Sequence, residues 1–172
     1  MTQRPERTAV LTLAAVFGLA SVPWTYGFIA GLELPLWPSF VAAASFYAAG
    51  GGLDGLRRSA AGNLVGVLYA AATVGLVEGA LGGGVLALSL AVGGFMFLAS
   101  LHPLVEPLSF APAGFLGYAS LFGVHAAGSG AVLGGLAGEA VAAASALLLG
   151  ALIGFATELS SDRLTRTEAA PS

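Results

Sequence analysis

The apolar residues of this chain form six runs, separated by short breaks rich in glycine, proline or charge. The first run has no charged residue between Arg7 and Glu33, and about 20 apolar residues are enough to cross a bilayer as a helix. The first run also fits a secretory signal peptide, but it is longer than a usual signal core, and we predict a helix. The pattern predicts six transmembrane helices, at residues 8–32, 37–49, 59–77, 85–101, 109–124 and 131–157.

Two of the breaks carry most of the charge. Residues 50–58 are predicted to form a glycine-rich loop that contains Asp54, Arg57 and Arg58. Residues 158–172 are predicted to form a polar tail. The loop is not a phosphate-binding loop, because it lacks the Lys-Ser/Thr pair and the preceding strand of that motif.

A degraded copy of residues 37–66 recurs in the second half of the chain. Phe46 falls on Phe122 and Gly62 on Gly138 when the two stretches are aligned. Chains rich in Ala and Gly also produce such matches by chance, so the duplication is a hypothesis. Each repeat has three predicted spans, an odd number, and the two would insert in opposite senses, as in many channels and transporters. The repeats are predicted at about 8–81 and 84–157, within one membrane domain of residues 1–172.

Composition makes the membrane prediction firm. The chain is 57% hydrophobic and 9% charged, with a mean hydropathy of +0.90, whereas soluble domains carry about 25% charged residues. We therefore predict an all-α integral membrane protein, with the lipid bilayer as its main surroundings. A net charge of −3 without a basic face excludes nucleic acid as a partner. The absence of cysteine excludes thiolate metal sites, and no cofactor, metal site or enzymatic activity is predicted.

All basic residues in the chain are arginines, and they predict the orientation of the helices. With six spans, every arginine falls on one side of the membrane, which the positive-inside rule assigns to the cytoplasm. We predict a multi-pass protein of the cell (inner) membrane with both termini cytoplasmic. The six are Arg4, Arg7, Arg57, Arg58, Arg163 and Arg166.

Aromatic and glycine positions carry a resemblance to known families. Over residues 10–156 the chain resembles the YcdZ-like family of small, uncharacterised bacterial inner-membrane proteins, a domain of unknown function. That resemblance implies six helices and no assigned reaction. More loosely, Trp37 with the following Gly55, Arg58, Gly62 and Gly66 is similar to the repeat of the fusaric-acid-resistance (aromatic acid exporter) family, which implies solute movement. The first resemblance rests on Trp37, Phe40, Phe46, Tyr47, Gly51, Gly52, Gly55, Leu56, Gly66, Phe115, Leu116, Gly117 and Phe122.

Glu139 is the first candidate site residue. It is predicted well inside the sixth span, where a carboxylate is costly unless it faces a cavity, has a partner or is protonated. It would then line a pore or bind a proton, or else fix helix packing as a protonated side chain. Asn63 is the aligned residue of the third span. It would form a second polar constriction near the cytoplasmic side, or it would form a hydrogen bond that holds two helices together.

His102 and Glu106 lie in the break after the fourth span, each followed by a proline. They share one face if the segment is helical, but a broken helix or re-entrant turn is an equal alternative. As a functional site they would form a proton-linked gate or the mouth of a permeation path. We favour the alternative, in which they are solvated residues of an interfacial loop. His125 is expected to be exposed at the end of the fifth span.

Aromatic residues recur on the short second and fifth spans. If these spans face each other, Phe46, Tyr47 and Phe122 form constrictions of a narrow pore, with Trp37 near one interface. Core packing or contact with lipid is the alternative.

Taken together, these features favour a channel or transporter for a small solute, with a pathway between two inverted three-helix halves. We expect such a protein to assemble as a homo-oligomer. Gly62 and Gly66, Gly134 and Gly138, and Gly150 and Gly154 have the small-xxx-small spacing that lets helices approach closely. The alternative is a non-transporting membrane scaffold or assembly subunit. A transporter requires a continuous polar path between the halves, whereas a scaffold would close it with Ala and Leu.

Overall fold

A computed structural model describes residues 7–128 and 134–168 of the chain. The described residues form six α-helices, and the all-helical prediction is confirmed for them. A π-helical turn, Gly27–Gly31, extends the first helix, and two 3-10 turns, His102–Leu104 and Glu106–Leu108, precede the fifth. The helices are α1 (Arg7–Tyr26), α2 (Leu36–Ala48), α3 (Gly52–Gly79), α4 (Val85–Ser100), α5 (Ala111–Ala126) and α6 (Gly135–Glu168).

Four of the helical segments are long and apolar enough to cross a membrane. Six helices are present in the described residues, as predicted, but α2 and α5, with 13 and 16 residues, are shorter than a typical span, so six spans stay a prediction. The four segments of membrane length are Arg7–Gly31, Gly52–Gly79, Val85–Leu104 and Gly135–Thr165.

The prediction of a loop at residues 50–58 is wrong for most of that range, because α3 begins at Gly52. At this turn, side chains from elsewhere in the chain cap both the end of α2 and the start of α3. Glu158 of α6 accepts a hydrogen bond from the Gly52 N–H at 2.8 Å, and Arg58 donates one to the Ala49 carbonyl oxygen at 2.8 Å. Such caps satisfy backbone groups that a helix end leaves unpaired. Gly50, Gly51 and Gly52 all have positive φ, which allows the tight reversal.

The sixth helix also differs from its prediction. It was predicted over residues 131–157, of which 131–133 lie outside the described residues. At the other end α6 continues to Glu168, so most of the predicted polar tail is helical. Charged and polar residues extend a helix beyond its apolar part without difficulty, because Glu and Arg have good helix propensity.

The helices pack in two close pairs joined by glycine contacts. On α3, a side chain at Gly62 would touch Ala113 of α5, and one at Gly66 would touch Gly114 and Tyr118 further along α5. From the first contact to the second, the residue numbers increase on both helices. Therefore α3 and α5 run in the same direction.

The second close pair is α2 and α6. On α6, a side chain at Gly150 would touch Ser39 of α2, and one at Gly154 would touch Ala43. These helices are therefore parallel as well. Since a short turn reverses the chain between α2 and α3, α2 runs opposite to α5 and α3 runs opposite to α6.

The larger core cluster lies among these four helices, and a second cluster joins Trp24 of α1 and Phe28 to Ala43 of α2 and Ala146 of α6. The core is built from small and branched side chains, and its buried members come from α2, α3, α5 and α6. Leucine and valine side chains of α1 and α4 remain exposed on the outer surface, such as Leu19 and Leu90. Exposed apolar residues in such numbers suit contact with lipid. The buried members are Ala42, Val67, Ala70, Tyr118, Leu121, Val124, Ala143, Leu147 and Ala151.

We expect Gly150→Ala to destabilise the protein, because the added methyl group would collide with the backbone of Ser39. Overpacking of this kind typically costs about 1–3 kcal/mol. Gly93→Ala is the matched control, since Gly93 is also inside a helix but has no neighbour within 4 Å of an added Cβ. Thermal unfolding in detergent, followed by circular dichroism, measures both. Equal melting temperatures for the two variants would contradict close packing of α2 against α6.

Candidate functional site

Three ionisable side chains meet where α3 and α5 end and α6 begins. The Nδ1 atom of His125 lies 2.6 Å from Oε2 of Glu139, and its Nε2 atom lies 3.6 Å from Oε1 of Glu78. The Glu139 side chain is 12% exposed, that of His125 is 33% exposed, and that of Glu78 is mostly in solvent. We call Glu78, His125 and Glu139 the carboxylate–histidine cluster.

The cluster is arranged to hold a proton on the imidazole ring. His125 lies beyond the predicted fifth span and outside the four segments of membrane length. The hydrogen bond with Glu139 raises the pKa of His125 above its usual range, and the charges of Glu139 and Glu78 add to this effect against a smaller opposing effect of burial. A protonated His125 links three helices through two carboxylates.

The structure moves Glu139 away from its predicted position. It was predicted well inside a span, but it lies one helical turn after Gly135, the first described residue of α6. The free-energy cost of burying the Glu139 carboxylate is reduced by its direct contact with His125, not by a cavity. The sequence analysis missed this pairing and treated His125 as exposed. A clue was present, because His125 and Glu139 flank the glycine-rich stretch of sequence between two consecutive apolar runs.

Asn63 belongs to a separate buried group of polar side chains near the other end of α3. Ser59 donates a hydrogen bond to Ser45 of α2 at 2.9 Å, and the Asn63 Nδ2 atom lies 3.3–3.4 Å from both hydroxyl oxygens. All three residues are buried. The Oδ1 atom of Asn63 has no hydrogen-bond partner among the described residues.

Further along the same face of α3, Thr73 and Tyr118 of α5 share a hydrogen bond of 2.8 Å. Ser59, Asn63 and Thr73 lie on one side of α3, within about 80° of one another around the helix axis at 3.6 residues per turn. Gly66 and Ala70 fill the positions between them. The buried face of α3 thus carries spaced polar groups, separated by small residues.

His102 and Glu106 are separated rather than combined. His102 is only 2% exposed, so it is not the solvated loop residue that we favoured. Its ring lies 5.7 Å from that of Tyr69 and against Gly114, where an added Cβ would come within 2.8 Å of Nδ1. Neither ring nitrogen has a hydrogen-bond partner within residues 7–128 and 134–168. Glu106 is exposed and lines a cleft at the surface.

The aromatic candidates lie in packed positions. Phe46 is fully buried and meets Phe155 edge-on at 6.1 Å, and Phe122 stacks on Tyr118 at 4.9 Å. The Tyr47 hydroxyl is bound to Thr157 at 2.7 Å and to the Gly154 carbonyl oxygen.

Trp37 is partly exposed and covers Gly123 of α5, where its ring leaves no space for a Cβ. The short helices α2 and α5 therefore touch, as the pore hypothesis requires. Ala42 and Leu121 fill the space between them, and both are fully buried.

The carboxylate–histidine cluster does not have the geometry of a metal site. In the described part of the chain, no three His, Asp or Glu side chains converge as metal ligands. Glu139 and Glu78 instead approach opposite edges of the His125 ring, so one ion cannot contact all three.

Helices of membrane length, an apolar exterior and a small polar interior are the features of a helical membrane protein. Residues 10–162 match the model of a family described as protein of unknown function (DUF1097), and the chain belongs to this family. No curated protein and no solved structure matches the chain. The YcdZ-like relation and the similarity to aromatic acid exporters therefore stay predictions.

We expect the carboxylate–histidine cluster to make the free energy of unfolding depend on pH. A pKa that is raised on folding stabilises the protein below the unfolded value of about 6.5, and this contribution is lost as pH rises through the folded value. Wild type should therefore exceed His125→Gln in melting temperature at acidic pH, and the difference should shrink on the alkaline side. Thermal unfolding in detergent across this pH range measures it. A difference that is the same at every pH would contradict the assignment.

Proposed function

We propose that this protein provides a pathway across the inner membrane for a small, uncharged solute that forms hydrogen bonds. The observation that carries the proposal is the unpartnered Asn63 Oδ1 atom among the buried polar groups of α3. A buried acceptor without a partner costs about 1–3 kcal/mol. A passing solute or water molecule supplies the missing hydrogen bond.

The directions of the helices support two inverted halves, α1–α3 and α4–α6. The helix α2 runs opposite to α5 and α3 runs opposite to α6, and each short helix packs on the long helix of the other half. Gly62 and Gly66 of α3 have the same role as Gly150 and Gly154 of α6. This correspondence differs from our alignment, which paired Gly62 with Gly138. Inverted halves of this kind are common in channels and transporters, with the substrate path at their interface.

The chemistry of the path indicates the class of solute. Ser59, Asn63 and Thr73 offer hydroxyl and amide groups on the buried face of α3, and the buried residues of that face include no charged side chain. A charged solute would need compensating charges at this depth. Hydroxyl and amide groups suit a neutral molecule instead.

For the proposed pathway, the described arrangement would correspond to a closed state. Ala42, Leu121 and Leu147 fill the interface between the halves, so the polar groups of α3 are not joined to either surface. Opening requires the halves to separate, as in gating by one repeat moving against the other.

The arginines support the proposed orientation. Gly52 of α3 and Glu158 of α6 are in contact, so Arg57, Arg58 and Arg163 lie toward the same end of the bundle. We assign this end to the cytoplasm by the positive-inside rule. Assembly into a homo-oligomer remains part of the proposal and would cover some of the apolar surface of α1 and α4.

A second candidate function is a non-transporting assembly subunit. The closed interface of Ala and Leu side chains favours it, because a scaffold needs no path between the halves. Its exposed apolar helices would then bind partner helices.

Flux through liposomes tests the first proposal. We expect purified protein to increase the permeability of liposomes to a small neutral solute such as urea or glycerol, measured by stopped-flow light scattering. Asn63→Leu should reduce this flux by about tenfold, the effect of one lost hydrogen bond of roughly 1.4 kcal/mol. Ser89→Ala is the control, because Ser89 is exposed on α4 and bonds only to its own helix.

The two candidates give different results in the same assay. Wild-type protein that is folded and reconstituted but adds no flux for any solute would overturn the pathway and favour the assembly subunit. Equal loss in Asn63→Leu and Ser89→Ala would overturn the role of Asn63. The melting temperatures of both variants show whether a loss of flux is simply a loss of fold.

A further inference from the structure

A polar cleft lies at the arginine-bearing end of the bundle, apart from the proposed pathway. It has a volume of about 370 Å³, within the range of about 300–1,000 Å³ that is usual for ligand sites. The first two turns of α3 form one wall, and the segment before α5 forms the other. The lining residues are Asp54, Arg57, Arg58, Glu106, Pro107 and Ser109.

Charges of both signs face this cleft without neutralising each other. Two guanidinium groups, of Arg57 and Arg58, and two carboxylates, of Asp54 and Glu106, line it. None of these four forms an ion pair within the described part of the chain. A ligand that carries one negative and one positive group can satisfy both kinds of side chain at once.

Arg58 is held in place for such a ligand. Its Nη2 atom donates to the Ala49 carbonyl oxygen at 2.8 Å, and its Nε atom donates to the Asp54 carbonyl oxygen at 3.3 Å. A guanidinium has five N–H donors, so further donors remain for an anionic oxygen. Two adjacent arginines, one of them fixed, suit a phosphate group.

The position of the cleft identifies the source of the ligand. The membrane-length segment of α3 begins at Gly52, and that of α4 ends at Leu104, two residues before Glu106. The cleft therefore lies at the level where two spans end and lipid headgroups begin. Leu104 and Val105, immediately before Glu106, are exposed apolar residues that acyl chains can cover.

We propose that this cleft binds the headgroup of phosphatidylethanolamine. Arg57 and Arg58 bind the phosphate, and Asp54 and Glu106 accept hydrogen bonds from the primary ammonium. Phosphatidylcholine has the same charges, but its quaternary ammonium has no N–H to donate. Phosphatidylglycerol has the phosphate but no cation, and the two carboxylates repel it. The order of affinity is phosphatidylethanolamine, then phosphatidylcholine, then phosphatidylglycerol.

Native mass spectrometry of the full-length protein in detergent tests this order. Dioleoyl forms of the three lipids are titrated, and bound lipid is counted directly. We expect phosphatidylethanolamine to bind at about tenfold lower concentration than phosphatidylglycerol, and Arg57→Gln to weaken it by about tenfold. Glu106→Gln should reduce the preference over phosphatidylcholine and phosphatidylglycerol.

Two exposed residues outside the cleft provide controls. Arg7→Gln and Glu33→Gln make the same changes of charge elsewhere on the surface and should leave lipid binding unchanged. Equal binding of the three lipids, or equal effects of Arg7→Gln and Arg57→Gln, would overturn the proposal. Soluble phosphoethanolamine at equal concentration should not displace the lipid. Displacement would show a site for a free zwitterion and overturn the assignment to lipid.

Discussion

Close approach of helix backbones is the constraint on which this structure depends. Gly66 of α3 and Gly150 of α6 bring two long helices against two short ones, with no space for a side chain at either contact. In a membrane, lipid is as apolar as the helices, so close packing rather than the hydrophobic effect holds them together. The parallel packing of α3 with α5, and of α2 with α6, follows from these contacts.

The same packing explains why polar groups are buried in so apolar a chain. Gly117 allows α5 to lie against the backbone of Asn63, and Gly114 leaves room for the ring of His102. Both side chains therefore lie in the interior, although Asn63 Oδ1 and the His102 nitrogens have no partner among the described residues. Unpaired buried groups are rarely retained without a reason, and the solute pathway that we propose would provide one.

Unlike the buried polar side chains, the charged side chains lie at the ends of the bundle. At one end, Glu78 and Glu139 hold His125 between three helices. At the other, Glu158 and Arg58 cap the turn between α2 and α3. Each arrangement includes one contact between distant helices, of Glu78 in α3 with His125 in α5 and of Glu158 in α6 with Gly52 in α3. The two ends are thus held by charged groups and the middle by small residues.

The sequence by itself determined the membrane class, the number of helices and most of their bounds, because apolar runs and glycine or proline breaks act locally. It also singled out Glu139, Asn63 and His102, since a polar residue in an apolar chain is conspicuous. Only the tertiary structure decided that α3 begins at Gly52, because Glu158, far along the chain, caps that end. The pairing of Glu139 with His125 and the burial of His102 were likewise decided there. Both depend on which helices lie side by side, and glycine contacts between distant segments, not local pattern, set that choice.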